Sequence, residues 1–184
     1  MTDADEFVSE AARAVRDDAV FEATDPEEST EEHPVFTDVT SPFRATVGLE
    51  DAGDTVAYTV IIEVPTLNAA VADEEVAPVV QEGWLETFEL RLEDVTGVTK
   101  TDPDAPTVVT DTSTGTVTVR TTFETAIPGR GVEDTKAVIN YVEGTYMEGI
   151  IPGYEYDEPV KGLLDRARER SGSTAERESG GPPL

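Results

Sequence analysis

A chain of 184 residues carrying 40 acidic against 13 basic side chains, with net charge −27 and a sequence pI near 4.1, has the length of one domain and a strongly anionic surface. It contains no cysteine, which excludes disulfides, thiolate nucleophiles and cysteine metal sites. Its one histidine leaves a Ser-His-Asp triad with a single candidate for the base.

In chain order, residues 3–17 are predicted to form an amphipathic helix. Phe7, Val8, Ala11, Ala12 and Val15 recur at i, i+3/i+4 spacing, and Thr2 or Asp3 is placed to cap the first amides. Acids Asp3, Asp5 and Glu6 in the first turn, with Arg13 and Arg16 toward the end, suit the helix dipole. "EATDPEESTEEHP", residues 22–34, combines like charges with two prolines and reads as an acidic, mobile connection. "VFTDV", residues 35–39, suits an edge strand stopped by the proline of "SPF". "FRATVGLE" and "TVAYTVIIEV" then alternate with period two on either side of "DAGD", the pattern of a hairpin.

Residues 76–95 change period. Val80, Trp84, Phe88, Leu92 and Val95 line one face of a helix that has Pro78 in its first turn. "TVVTDTSTGTVTVRTTFETAI" is a second hairpin turning at "STG". Val117, Val119, Phe123 and Ile127 share one face and Arg120 and Glu124 the other, which implies one buried and one solvated sheet face. "PGRG" closes that strand. A helix is predicted over residues 132–151 through Val138, Val142 and Tyr146, and a short one over 158–170 through Val160, Leu163, Leu164 and Ala167. Residues 171–184 have nothing to bury and read as a disordered tail. This order predicts a single α+β domain over residues 1–170, an antiparallel sheet of four to five strands built from hairpins with helices packed on one face.

Few residues offer chemistry. His33 lies in the acidic connection beside Glu31 and Glu32, where nothing holds the fixed geometry that a metal demands, so no metal site is predicted. In "IPGRGVEDTK", Arg130 sits where a strand gives way to a helix, the setting in which helix N-termini bind phosphate. That passage has neither the phosphate-loop nor the dinucleotide pattern, and Glu133 and Asp134 fall in the predicted first turn. Glu63 interrupts "VIIEVP", and alternation puts it on the exposed face. No catalytic constellation and no cofactor is predicted. Lys161, Arg166, Arg168 and Arg170 suit the end of a helix better than a nucleic-acid footprint.

"EGTYMEGIIPGYEYDEP", residues 143–159, concentrates aromatics and glycines. Gly149, Pro152 and Gly153 end a helix, and tyrosine suits a seam between helix and sheet margin because it joins an apolar ring to a wet hydroxyl. Tyr141, Tyr146, Tyr154 and Tyr156 are therefore expected to dock the helix. Together with Trp84 and Arg130 they are the candidate protein- or ligand-binding residues.

The acids are spread along the chain, as on a solvated exterior, and do not form one acidic block. Self-repulsion at this charge opposes compaction, and molar salt, with a Debye length of ~3 Å, removes most of that penalty. The charge thus predicts a cytoplasmic protein of a salt-filled cell that depends on high KCl. The N-terminus has no basic and apolar signal pattern, and no stretch approaches the ~20 apolar residues of a bilayer span, so no membrane partner is expected.

"EGWLETFELRLEDV" and "YVEGTYMEGIIPGYEY", with the acidic, lysine-poor composition, make the chain resemble an uncharacterised haloarchaeal family with one domain of unknown function, over most of residues 3–165. That resemblance implies no activity and no functional residues. In element order alone the chain is similar to type III secretion chaperone-like folds, which pair an antiparallel sheet with helices and bind other proteins. The leading expectation is a non-enzymatic protein-interaction or adaptor domain, working on another protein or as a homodimer. It would use the sheet's open face or the Tyr141–Tyr156 surface. The alternative is a small-ligand binding domain with its pocket between the sheet and the Trp84 helix.

Overall fold

Ten consecutive residues of strict alternation, Val56–Pro65, form the strand about which the rest is arranged. The computed structural model describes residues 3–25 and 27–178, with side chains from residues 6 to 172 apart from 26. In order these are α1 (Asp3–Asp17), β1 (Phe21–Ala23), β2 (Val35–Asp38), β3 (Arg44–Asp51), β4 (Val56–Pro65), α2 (Leu67–Ala70), α3 (Pro78–Leu92), β5 (Thr107–Asp111), β6 (Thr116–Thr125), α4 (Pro128–Glu148) and α5 (Val160–Glu178). The strands make one antiparallel sheet of six, ordered β1-β2-β3-β4-β6-β5.

One face of that sheet is sealed. Val56, Tyr58, Val60, Ile62 and Val64 of β4 are buried, as are Val47 and Leu49 of β3 and Val117, Val119 and Phe123 of β6. Helices α1 and α4 lie over them. Burial of one large apolar side chain is worth about 1.5–3 kcal/mol, so this layer dominates the stability of the domain. The opposite face carries threonines and charges. Thr59 and Thr122 touch through their hydroxyls at 3.2 Å, and Arg44 reaches Glu63 at 3.5 Å.

Two close approaches fix the helices. A Cβ on Gly131, in the first turn of α4, would lie 2.1 Å from Cζ of Tyr58, so only glycine lets the helix settle on the ring. Tyr58 is fully buried and stacked on Phe123, with centroids 5.2 Å apart. At the other end of the helix layer, Tyr146 of α4 sits edge-on to Phe43 at 5.0 Å and to Trp84 at 5.5 Å. Trp84 stacks on Phe88 at 5.5 Å. The buried row Trp84, Phe88, Leu92 and Val95 is the face expected from the period of four.

The structure differs from the sequence-based expectation at several points. Ile127, expected on the buried face of the second hairpin, lies beyond the end of β6 and is exposed, and the short helix α2 follows β4 where none was expected. The sheet has six strands because Phe21–Ala23 pairs with β2, which removes β2 from the edge. Residues 22 and 23 therefore belong to a strand, and two further residues of the acidic connection are held: Glu28 bonds Arg44 at 2.9 Å and the Ser29 hydroxyl accepts from the Val35 amide at 3.0 Å. Helix α3 ends at Leu92 and continues as a 3-10 turn, Glu93–Val98. Helix α4 begins at Pro128, four residues early, because proline at the first helical position needs no N–H partner. Helix α5 carries on to Glu178, so the tail assigned to 171–184 is helical as far as that residue. Residues 179–184 and the Thr2 cap lie outside the described residues.

Candidate functional site

The four tyrosines do not converge on a groove. Tyr141 Oη donates to the carbonyl of Arg91 at 2.6 Å, tying α4 to the end of α3. Tyr146 is fully buried in the aromatic cluster, its hydroxyl has no hydrogen-bond partner among the described residues, and burial pushes its pKa far above the usual range. Tyr156 Oη accepts from the Ile151 amide at 3.0 Å and donates to the Ile151 carbonyl at 2.9 Å. Burial raises its pKa, and the hydrogen bond from the Ile151 amide acts against that. Its backbone bridges to Val71. Tyr154 is half-buried at the core margin. Tyr141 and Tyr146 thus join α4 to α3, while the Tyr156 hydroxyl closes the turn after α4.

Trp84 has one ring face in that cluster and an edge on a cleft of about 380 Å³ at the α3–α4 seam, with Gly149 and Ile150 on the far wall. Around Trp84 itself the space toward the sheet is filled by Phe43, Phe88 and Tyr146, and open space between the sheet and this helix lies farther along it, against β5. Arg130 stands in the first turn of α4. With the helix starting at Pro128, Glu133 and Asp134 move out of the first turn and take other work. Glu133 pairs with Lys100 at 2.8 Å. Asp134 is buried and accepts from the amides of Lys100 at 3.0 Å and Thr101 at 2.9 Å, so it caps the loop before β5.

Other polar residues also serve architecture. Glu63 faces Arg44 on the open sheet face, where alternation places it. His33 is exposed, with Nδ1 3.9 Å from Glu50 and no contact to Glu31 or Glu32. Among the described residues no group of three or more His, Asp or Glu side chains is close enough to hold a metal ion. Glu143 accepts a hydrogen bond from the Ser41 hydroxyl, and burial, with the nearby Asp38, holds its pKa above the usual carboxylate value.

What remains is an edge and a groove beside it. Among the described residues β5 pairs only with β6, so its outer side presents unpaired amides and carbonyls, and Val109 on it is 59% exposed. Natural edges are guarded by lysine, proline, bulges or extreme shortness. β1, at the other edge, has three residues; β5, "TVVTD", has five, with neither lysine nor proline. Between β5 and α3 runs a groove of about 510 Å³ whose apolar wall is Val76, Pro78 and Leu85.

The groove is rigidly floored. Asn68 Oδ1 accepts from the Val76 amide and the Asn68 amide donates to Gln81 Oε1, both at 2.8 Å. The β5–β6 turn packs on α2 at Gly115, whose φ is +69° and where a Cβ would lie 2.7 Å from that of Ala69. The charged side chains lining the groove, Glu75 and Glu82, are both acidic. None of these residues stood out in the sequence, because they come from four segments that only the strand order brings together.

The geometry thus defines an α+β domain with a one-sided antiparallel sheet and an open edge strand flanked by a helix. The family of unknown function DUF5813 matches residues 18–166, and the chain belongs to that family. No curated protein and no solved structure matches the chain. No helix among the described residues is long and apolar enough to cross a membrane.

Proposed function

We propose that the chain is a protein-interaction module that takes up an extended segment of another protein as a seventh strand on β5. The observation that carries this reading is the unguarded five-residue edge lying beside the Val76–Pro78–Leu85 groove. Strand addition draws its affinity from main-chain hydrogen bonds and its specificity from pockets for alternate side chains. A strand laid on β5 turns every second side chain to the side of the sheet that carries α3. There an apolar residue meets Leu85 and a basic residue meets Glu75 or Glu82. The occupant is accordingly an extended segment that alternates apolar and basic residues.

The exterior supports work in brine within a salt-filled cytoplasm. Of the carboxylates with described side chains, Asp38 and Asp134 are buried, Asp18, Glu63 and Glu143 are half-buried, and the others are exposed. In molar KCl their long-range field is screened, and recognition falls to short-range hydrogen bonds and apolar contact. The test is selection of binders from a displayed library of extended peptides in molar KCl, followed by titration against the native chain and Leu85→Glu. Expected is a consensus alternating apolar and basic residues, with roughly tenfold or greater weakening by Leu85→Glu, whose side chain is only half-buried and whose change should leave the fold intact. Binders without that alternation, or with affinity unaffected by Leu85→Glu, would remove the proposal.

A further inference from the structure

On the opposite flank of the sheet, α1, β1 and the acidic connection enclose a second cleft, of about 580 Å³. Its floor is apolar: Val8 and Ala12 from α1, and Phe36 from β2. Its walls are not. Arg13 and Arg16, three apart and so neighbours on one face of α1, stand on one side. Ser29 and Thr30 stand on the other.

Two independent features mark the ligand this cleft suits. First, neither guanidinium has a carboxylate within 4 Å among the described residues, in a chain with three times as many acids as bases. Arg16 instead rests over the Phe36 ring, 5.9 Å from its centroid, which fixes its direction by a cation–π contact. Second, both hydroxyls already accept. Ser29 Oγ takes the Val35 amide and Thr30 Oγ1 the His33 amide, each at 3.0 Å, so the proton of each hydroxyl is left to donate. The walls therefore offer two guanidinium forks and two oriented O–H donors against a single acid, Glu31.

We infer that this cleft binds a small phosphate monoester with an apolar or planar body. A phosphate carries close to two negative charges and three acceptor oxygens, which matches two arginines and two hydroxyl donors. Guanidinium forks hold such oxygens bidentately. The body of the ligand lies along the α1 side of the cleft, over the small part of Val8 and Ala12 that remains accessible. A volume of this size is in the range of small-molecule sites, which suits a small ligand of this class.

The experiment is an NMR titration of the native chain in molar KCl with phenyl phosphate, and with inorganic phosphate, phenol and benzoate as separate arms. Expected are saturable shifts of the backbone amides of Arg13, Arg16, Ser29 and Thr30 with phenyl phosphate, weaker ones with inorganic phosphate, and none with phenol. Arg13→Gln/Arg16→Gln, both on exposed positions, should keep the native spectrum and weaken phenyl phosphate roughly tenfold or more. Shifts that persist unchanged in the double variant would overturn the site. So would a failure of phenyl phosphate to saturate. Tighter binding of benzoate than of phenyl phosphate would overturn the phosphate assignment.

Discussion

Gly131→Ala puts the contact between α4 and the sheet to a quantitative test. The added methyl carbon would fall 2.1 Å from Cζ, 2.3 Å from Oη and 2.5 Å from Cε1 of Tyr58, all well inside contact distance. The ring has no room to retreat, because it is fully buried and lies nearly parallel to Phe123, at 4°. Alanine in place of glycine favours a helix by about 1 kcal/mol. Overpacking of a closed core costs about 1–3 kcal/mol and sometimes more, and a clash with a rigid ring belongs at the upper end of that range. The net expectation is a loss of about 2 kcal/mol. Urea unfolding in molar KCl, followed by circular dichroism, reads this as a lower midpoint at unchanged slope. Gly144→Ala supplies the control. It lies in the same helix, is exposed, and a Cβ there meets nothing within 4 Å, so it should gain up to about 1 kcal/mol. In a Tyr58→Ala background the cost of Gly131→Ala should largely vanish. Equal stability of Gly131→Ala and the native chain in the Tyr58 background would refute the packing argument.

Three further outcomes follow from buried or paired groups. Asp18 holds Lys136 at 2.6 Å between the end of α1 and α4, and the lysine's hydrogen bond lowers the aspartate pKa below 3.8. The pair's contribution is therefore complete above the unfolded pKa and disappears as pH falls through the folded one; Asp18→Asn should cost about 1 kcal/mol at neutral pH and nothing in strong acid, by urea unfolding across pH. Glu143 has the opposite sign. Its raised pKa means that the folded chain binds the proton more tightly, so stability falls as pH rises from the ordinary glutamate value through the raised one. Glu143→Gln, which keeps an acceptor for Ser41, should flatten that slope and leave the chain no less stable at neutral pH. Tyr146→Phe removes a buried hydroxyl that has no hydrogen-bond partner among the described residues, so thermal unfolding should show no loss, whereas Tyr146→Ala should cost about 3–5 kcal/mol by opening a cavity among Phe43, Trp84 and Phe88.

Elements with many repeats of one period were legible in the sequence. β4 and β6 alternate over ten residues each, and the Trp84 row advances by fours, so their buried faces follow from pattern alone. β1 escaped notice because three residues containing Glu22 carry no measurable period. The start of α4 was hidden because "PGRG" has the composition of a turn. Its proline instead opens the helix, and Gly131 is demanded by Tyr58, a residue more than seventy positions away. The tyrosines could be read as docking residues from their chemistry, though which segment each one holds depends on packing. The β5 edge was beyond reach for a different reason. A strand's being at an edge depends on strand order, and β6 lies between β4 and β5 although β5 precedes it in the chain. Arg13 and Arg16 likewise read as dipole partners until the fold set Ser29 and Thr30 opposite them.

The claim that β5 is the working edge is tested most directly by residue-resolved amide hydrogen exchange over residues 107–111, in molar KCl, with and without a selected peptide. Alternate amides of β5 should exchange freely in the isolated chain and become protected in the complex, while β1 is unchanged. Protection of every β5 amide before any peptide is added, or new protection confined to another surface, would contradict it.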